Sequence, residues 1–229
     1  MDNKLPSAIL FDLDGTLLDT APEFTDGINQ LRSEQNLPPL TLETIRPAVS
    51  HGSEEVIKTA FNLPTAHPDL PKLKARFLEI YQSNIGRNTH FFTGIEELLS
   101  NIEQQGLKWG IVTNKPHFLT LPLLAKLNLM QRAQCVISGD TLSVSKPHPL
   151  PILHACKQMG VRPETCYYIG DAERDIIAGK ASGMMATFMA LYGYLGPNDK
   201  PYQWQADHYI LHPNEIWPPR FSIGECLTT

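Results

Sequence analysis

Four apolar residues, Ala8-Ile9-Leu10-Phe11, run without interruption into Asp12-Leu13-Asp14-Gly15-Thr16. A short apolar run with no polar alternation reads as a strand buried on both faces, and the acidic segment marks where it leaves the core. Gly15 lets the chain turn at once, so that both carboxylates can face one pocket, one as a nucleophile and the other as its proton shuttle. A calcium loop is a poor reading. It would need oxygen ligands at further alternate positions, a glycine at the sixth and a glutamate at the twelfth, and Thr16-Leu17-Leu18-Asp19-Thr20 does not continue that pattern.

Strand-like runs recur at 8–12, 108–113, 135–138, 166–169 and 185–189, with helical stretches between them. That alternation predicts an α/β fold, a Rossmann-like parallel sheet flanked by helices and joined by right-handed crossovers. Polar elements follow the strands: Thr113-Asn114-Lys115-Pro116 closes the second, Lys146-Pro147 lies in the loop beyond the third, and Gly170-Asp171-Ala172-Glu173-Arg174-Asp175 closes the fourth. In an open parallel sheet the carboxyl ends of the strands border one crevice, so these groups would converge on one ligand.

Between the first two strands the pattern changes. Phe24, Ile28 and Leu31, then Val56, Ala60 and Phe61, then Leu70, Leu73, Phe77 and Ile80 recur at helical spacing, and Ser53 with Glu54 and Glu55 reads as a helix start. Residues 21–90 are therefore expected to form a helical cap inserted after the first strand, with 1–20 and 91–229 forming the catalytic core. Arg46, His51 and Gly52 are expected in a loop between two cap helices, where a side chain could meet a carboxylate or a sugar hydroxyl.

These four motifs, in this order, resemble those of the haloacid dehalogenase-like phosphohydrolases, in the group of phosphoglycolate phosphatases, over roughly residues 5–215. Val112-Thr113-Asn114-Lys115-Pro116 and Tyr192-Gly193-Tyr194 look typical of that group. The stretch from Tyr192 through Asp199, Trp204, Ala206 and Asp207, with Asn36-Leu37-Pro38-Pro39, is also similar to N-acetylmuramic acid 6-phosphate phosphatases. Ala172 departs from the pattern, since many relatives carry a small hydroxyl or acidic residue there.

The resemblance implies a chemistry. Asp12 would attack phosphorus and form an aspartyl-phosphate, and Asp14 would protonate the departing alkoxide and then deprotonate the hydrolytic water. Mg2+ is the implied cofactor, held by Asp12, the Asp14 carbonyl and Asp171, with Asp175 supporting a metal-bound water or Lys146. Thr113 would donate its hydroxyl to a phosphoryl oxygen beside the Asn114 backbone N–H, and Lys146 would add fixed positive charge. The expected substrate is a small acidic phosphomonoester, 2-phosphoglycolate first and N-acetylmuramic acid 6-phosphate second. A sugar phosphomutase of the same superfamily, a dehalogenase, a phosphonate-cleaving enzyme using a cap lysine and a non-catalytic binding module are the competing classes. The last would ordinarily have lost the nucleophile or a metal ligand, and both are present here.

Composition limits the partners. Over 229 residues the formal net charge is −5, which argues against nucleic acid, and no run approaches the ~20 apolar residues of a membrane span. Cys135, Cys156, Cys166 and Cys226 show no CxxC spacing and read as free thiols, and the N-terminus lacks a signal-peptide core, so a cytoplasmic protein is expected. With no coiled-coil heptads, a monomer or a homodimer is expected.

Overall fold

The computed structural model describes residues 5–216. Its frame is a six-stranded sheet made of β1 (Ala8–Phe11), β4 (Lys108–Val112), β5 (Cys135–Ile137), β6 (Cys166–Gly170), β7 (Ala186–Ala190) and β8 (His208–Ile210). The spatial order is β5-β4-β1-β6-β7-β8 and every pairing is parallel. β1 lies between β4 and β6, with Phe11 level with Ile111 on one side and Ile169 on the other. In that register the segments beginning at Asp12, Thr113 and Asp171 leave the sheet side by side.

Both faces of the sheet are covered. Ile9, Phe11, Trp109 and Ile111 pack with α5 (Ile95–Gln104) and α6 (His117–Lys126), whereas Ala8, Leu10 and Val112 pack with α7 (Leu150–Met159) and α8 (Glu173–Ala181). The period-two alternation along β1 thus feeds two cores, which is why the run contains no polar residue.

Four helices, α1 (Ala21–Glu34), α2 (Leu42–Val49), α3 (Ser53–Phe61) and α4 (Leu70–Asn84), form a separate bundle around Phe24, Ile28, Val56, Phe77 and Tyr81. The bundle is entered and left through a short antiparallel ladder. β2 (Leu18–Asp19) pairs with β3 (His90–Phe91), and the buried Glu23 at the start of α1 accepts from the Asn88 backbone N–H and the Thr89 hydroxyl at 3.2 and 3.0 Å.

Two expectations are corrected. Arg46 lies inside α2, so only Ser50, His51 and Gly52 form the connection to α3. α3 begins at Ser53 as expected, after Gly52 at φ +87°, a conformation that suits glycine. The sheet also has a sixth strand, β8, beyond the five expected. Three of the four cysteines, Cys135, Cys156 and Cys166, are buried free thiols, while Cys226 and the tail after Pro218 lie outside the described residues.

Candidate active site

Asp12 leaves β1 directly into the crevice. Its Oδ1 accepts from the Leu13 backbone N–H at 2.7 Å and forms an ion pair with the Lys146 ammonium at 2.8 Å, and on Oδ2 the partner among the described residues is Arg174, 3.8 Å away. Oδ2 is thus the oxygen with least to hold it back. Gly15, at φ +89°, turns the chain beneath it, and a Cβ there would collide with the Asp171 carboxylate. Glycine at this position is what lets the first and fourth motifs touch.

Lys146 is buried and fully engaged. Besides Asp12 it contacts Asp175 Oδ1 at 2.7 Å, the Val112 carbonyl at 2.7 Å and the Tyr168 hydroxyl at 3.0 Å. The Asn114 side chain holds the Lys146 backbone, donating to its carbonyl at 2.8 Å and accepting from its N–H at 3.0 Å. The Asn114 side chain therefore positions a cation, while Thr113 lies beside it on the cavity wall.

Asp171 leaves β6 at the next position along the crevice. Its Oδ2 accepts from the Ser50 hydroxyl at 2.7 Å and the Tyr194 backbone N–H at 3.0 Å, while Oδ1 has the Thr16 hydroxyl at a long 3.4 Å. Asp175, in the first turn of α8, has both oxygens occupied: Oδ1 by Lys146, and Oδ2 by the Ala172 backbone N–H at 3.1 Å. This bond caps α8 from the third helical position, where Ala172 has no side-chain acceptor to offer.

Asp12, Asp171 and Asp175 each bring one oxygen within 4.8 Å of the others, and all three are buried. Three buried carboxylates face the buried Lys146 and the half-buried Arg174, so the cluster carries an excess of negative charge. Burial, followed by the charges of Asp12 and Asp175, pushes Asp171 up to about 7. Burial also raises Asp175, with Asp12 adding to it and Lys146 opposing. An all-oxygen site with surplus negative charge fits a hard divalent cation. The oxygens with least competition for one are Asp12 Oδ2 and Asp171 Oδ1, and the doubly occupied Asp175 suits a supporting place.

Asp14 stands apart from this cluster. Its Oδ1 accepts from the Thr20 hydroxyl at 2.7 Å and from the Lys115 ammonium at 3.1 Å. It lies on the wall of a cavity of about 590 Å3 whose lining comes from the sheet side (Asp12, Thr113, Lys115, Arg174) and from the helical bundle (Phe24, His51, Lys58, Tyr81). Arg46 takes no part in that wall. Its guanidinium pairs with Asp19 at 2.7 Å and lies over the Tyr194 ring.

A family model described as haloacid dehalogenase-like hydrolase matches residues 9–189. The chain belongs to the haloacid dehalogenase-like hydrolases. Within this hydrolase family it is 44% identical over 219 residues to a phosphoglycolate phosphatase of Xanthomonas campestris pv. campestris, covering 94% of this chain and 97% of the relative. It is 40% identical over 209 residues to the N-acetylmuramic acid 6-phosphate phosphatase of Pseudomonas aeruginosa, covering 91% of this chain and 92% of the relative. The crystal structure of a predicted phosphoglycolate phosphatase from Haemophilus somnus 129pt superposes with a TM-score of 0.79 at 25% identity, covering 92% of this chain and 96% of that one.

The sequence expectation for the hydrolase family holds at the level of fold. The two strand-end motifs, at Thr113 and Asp171, and the Lys146 loop meet the first motif in one crevice. Lys115, Arg174, Ser50 and Thr20 were not singled out as site residues. Lys115 and Arg174 lie within motifs that were recognised, so their position was the available signal. Ser50 and Thr20 carry none, because a lone hydroxyl in a connection looks like any cap.

Proposed function

We propose that this hydrolase is a magnesium-dependent phosphomonoesterase acting on a small acidic substrate, with 2-phosphoglycolate as the first candidate. The observation that carries this reading is a buried Asp12 on the wall of a cavity, paired from behind with Lys146, and Asp14 set apart on the same wall. A nucleophile and a proton carrier held on separate supports can serve the two ends of one ester bond. Asp12 attacks phosphorus through its carboxylate, Asp14 gives its proton to the ester oxygen as the bond breaks, and Lys146, Arg174 and the Thr113 hydroxyl hold the phosphoryl oxygens. Asp14 then takes a proton from the water that cleaves the aspartyl-phosphate on Asp12. Asp12, Asp171 and the Asp14 carbonyl would hold the cation, which supplies charge neutralisation at the phosphoryl group when bound.

On this reading residues 21–90 act as the cap and 1–20 with 91–229 as the core. The bundle side of the cavity contributes His51 to leaving-group contact in preference to Arg46, which is engaged by Asp19. The buried free cysteines support a reducing, cytoplasmic setting, and no described helix is long and apolar enough to cross a membrane.

A second reading has its own observation. A cavity of about 590 Å3 exceeds what glycolate needs and would admit an amino sugar, as in N-acetylmuramic acid 6-phosphate. Phosphate release with magnesium or chelator, over both candidates, glucose 6-phosphate and an aryl phosphate, separates them. The expected result is magnesium-dependent turnover that strongly favours 2-phosphoglycolate and is lost in Asp12→Asn. Preference for the sugar would establish the second reading, and activity that persists without Asp12 would overturn both.

A further inference from the structure

Lys115 is a buried lysine outside the phosphoryl-handling groups, and it is placed unusually for one. Its ammonium donates to Asp14 Oδ1 at 3.1 Å and to the Tyr81 hydroxyl at 3.0 Å, and it lies over the Tyr81 and Phe24 rings at 4.7 and 5.1 Å from their centroids. An ammonium has three donors. Two are used, and among the described residues no third oxygen takes the last. Burying a charge with an open donor is costly unless an anion visits it. The other lysines on the cavity wall are in a different position: Lys58 pairs with Glu55 at 2.5 Å and Lys74 with Glu54 at 3.5 Å, both more exposed and both on the bundle.

We propose that Lys115 is the residue that receives the substrate's carboxylate, and so selects leaving groups whose carboxylate lies one carbon away from the ester oxygen. This rests on the phosphomonoesterase reading and deepens it. The geometry supplies the length rule. An ester oxygen within hydrogen-bonding reach of Asp14 lies about 3 Å from that carboxyl group. The ammonium is 3.1 Å from Oδ1 of the same group, so ammonium and ester oxygen lie within roughly 6 Å when both meet that oxygen and within roughly 8 Å when the ester meets the other. In 2-phosphoglycolate one methylene joins the ester oxygen to the carboxylate, and two bonds of about 1.5 Å bring the carboxylate within one hydrogen bond of Lys115. The lactyl carboxylate of N-acetylmuramic acid 6-phosphate lies across the sugar ring from the ester and would fall near the distant lysines instead.

Tyr81 and Phe24 belong to the helical bundle, so the pocket for this carboxylate is complete only where bundle and sheet meet. A substrate bearing that group is therefore read at the junction itself.

The test compares 2-phosphoglycolate with ethyl phosphate, which has the same length and no carboxylate, in the wild type, Lys115→Met and Lys115→Arg. The readout is the ratio of the two kcat/KM values, because a purely structural lysine would lower both together. The wild type is expected to favour 2-phosphoglycolate by about 100-fold or more, Lys115→Met to cut that preference by roughly 10- to 100-fold, and Lys115→Arg to keep most of it. Circular dichroism and thermal midpoints establish that each variant folds, and Lys115→Arg carries the comparison if the methionine variant does not. A preference that survives in Lys115→Met overturns the assignment and leaves the phosphatase reading intact. Equal losses on both substrates reduce Lys115 to a tether and also overturn it. A wild type with no preference between the two removes the small acidic substrate itself.

Discussion

A lysine ammonium with oxygens on every side has nowhere to swing, and Lys146 is such a group. Its side chain is gripped by Asp12, Asp175, Val112 and Tyr168, and its backbone by Asn114. The Asn114 grip sets where the chain approaches the nucleophile. Asn114→Ala removes two hydrogen bonds to the Lys146 backbone without touching any charge. It is expected to lower kcat about 10- to 100-fold with KM changed only a few-fold, since misplacing a charge by about 1 Å can cost that much. Steady-state kinetics with magnesium checks this, and an unchanged kcat would mean that the side-chain partners alone hold the lysine. Asn114 was legible because it follows a strand end, and Lys146 because it lies in the loop beyond the next strand. Arg46 was not, since its sequence neighbourhood says nothing of Asp19, which captures its guanidinium from outside the bundle.

Among the elements, α1 shows how a helix start can be served from far along the chain. Thr20 at its cap makes no capping bond, because its hydroxyl is turned to Asp14. The Tyr194 hydroxyl stands in, accepting from the Thr20 and Ala21 backbone N–H groups at 2.6 and 2.9 Å and donating to Asp19 at 2.9 Å. Tyr194→Phe strands the Thr20 N–H and leaves the Ala21 N–H only a long 3.3 Å bond to Asp19, so a loss of roughly 1–2 kcal/mol of stability is expected, close to that of losing a side-chain cap. Denaturant titration measures the loss, and faster amide exchange at the first turn of α1 would localise it. Unaltered stability would show that solvent replaces the phenol. The helix periodicities in the bundle and the five apolar strands were readable because burial repeats at fixed intervals. β8, three residues with an exposed histidine at the sheet edge, and the two-residue β2 and β3 carry no such repeat. Their pairing is decided by tertiary contact, which a local pattern does not contain.

For the whole molecule, the buried carboxylates couple stability to pH. Asp171 lies at about 7 in the folded chain against an ordinary value of 3.8, so between those values the folded chain holds a proton that the unfolded chain has released. Metal-free stability should then fall as pH rises from about 4 toward 7, because the unfolded state binds fewer protons there. With chelator, the thermal midpoint is expected to be higher near pH 5.5 than near pH 7.5. Saturating magnesium should flatten that slope by replacing the proton, as should Asp171→Asn. A metal-free midpoint that rises over the same range would contradict the burial of that carboxylate. The existence of a sheet and an inserted bundle was open to reading from the order of the motifs. The meeting of the two across one cavity was not, because Lys115, Tyr81 and Phe24 are neighbours only after folding.

The bundle leaves and rejoins the sheet side by side, through Leu18 paired with Phe91 and Asp19 paired with His90. The residues proposed to handle the phosphoryl group and its cation, Asp12, Asp14, Thr113, Lys146, Asp171, Arg174 and Asp175, lie outside the stretch between those strands. On the proposed reading, what is done to a substrate is written outside that stretch, while which substrate is admitted is written partly within it, through Tyr81 and Phe24, and partly beyond it, through Lys115. One contiguous stretch could be transplanted between relatives without disturbing the register of a single strand in the main sheet. The exchange has two conditions: any incoming bundle must bring a hydroxyl to the place of Ser50, which holds Asp171, and a phenol to the place of Tyr81, or Lys115 arrives at the junction with one partner fewer.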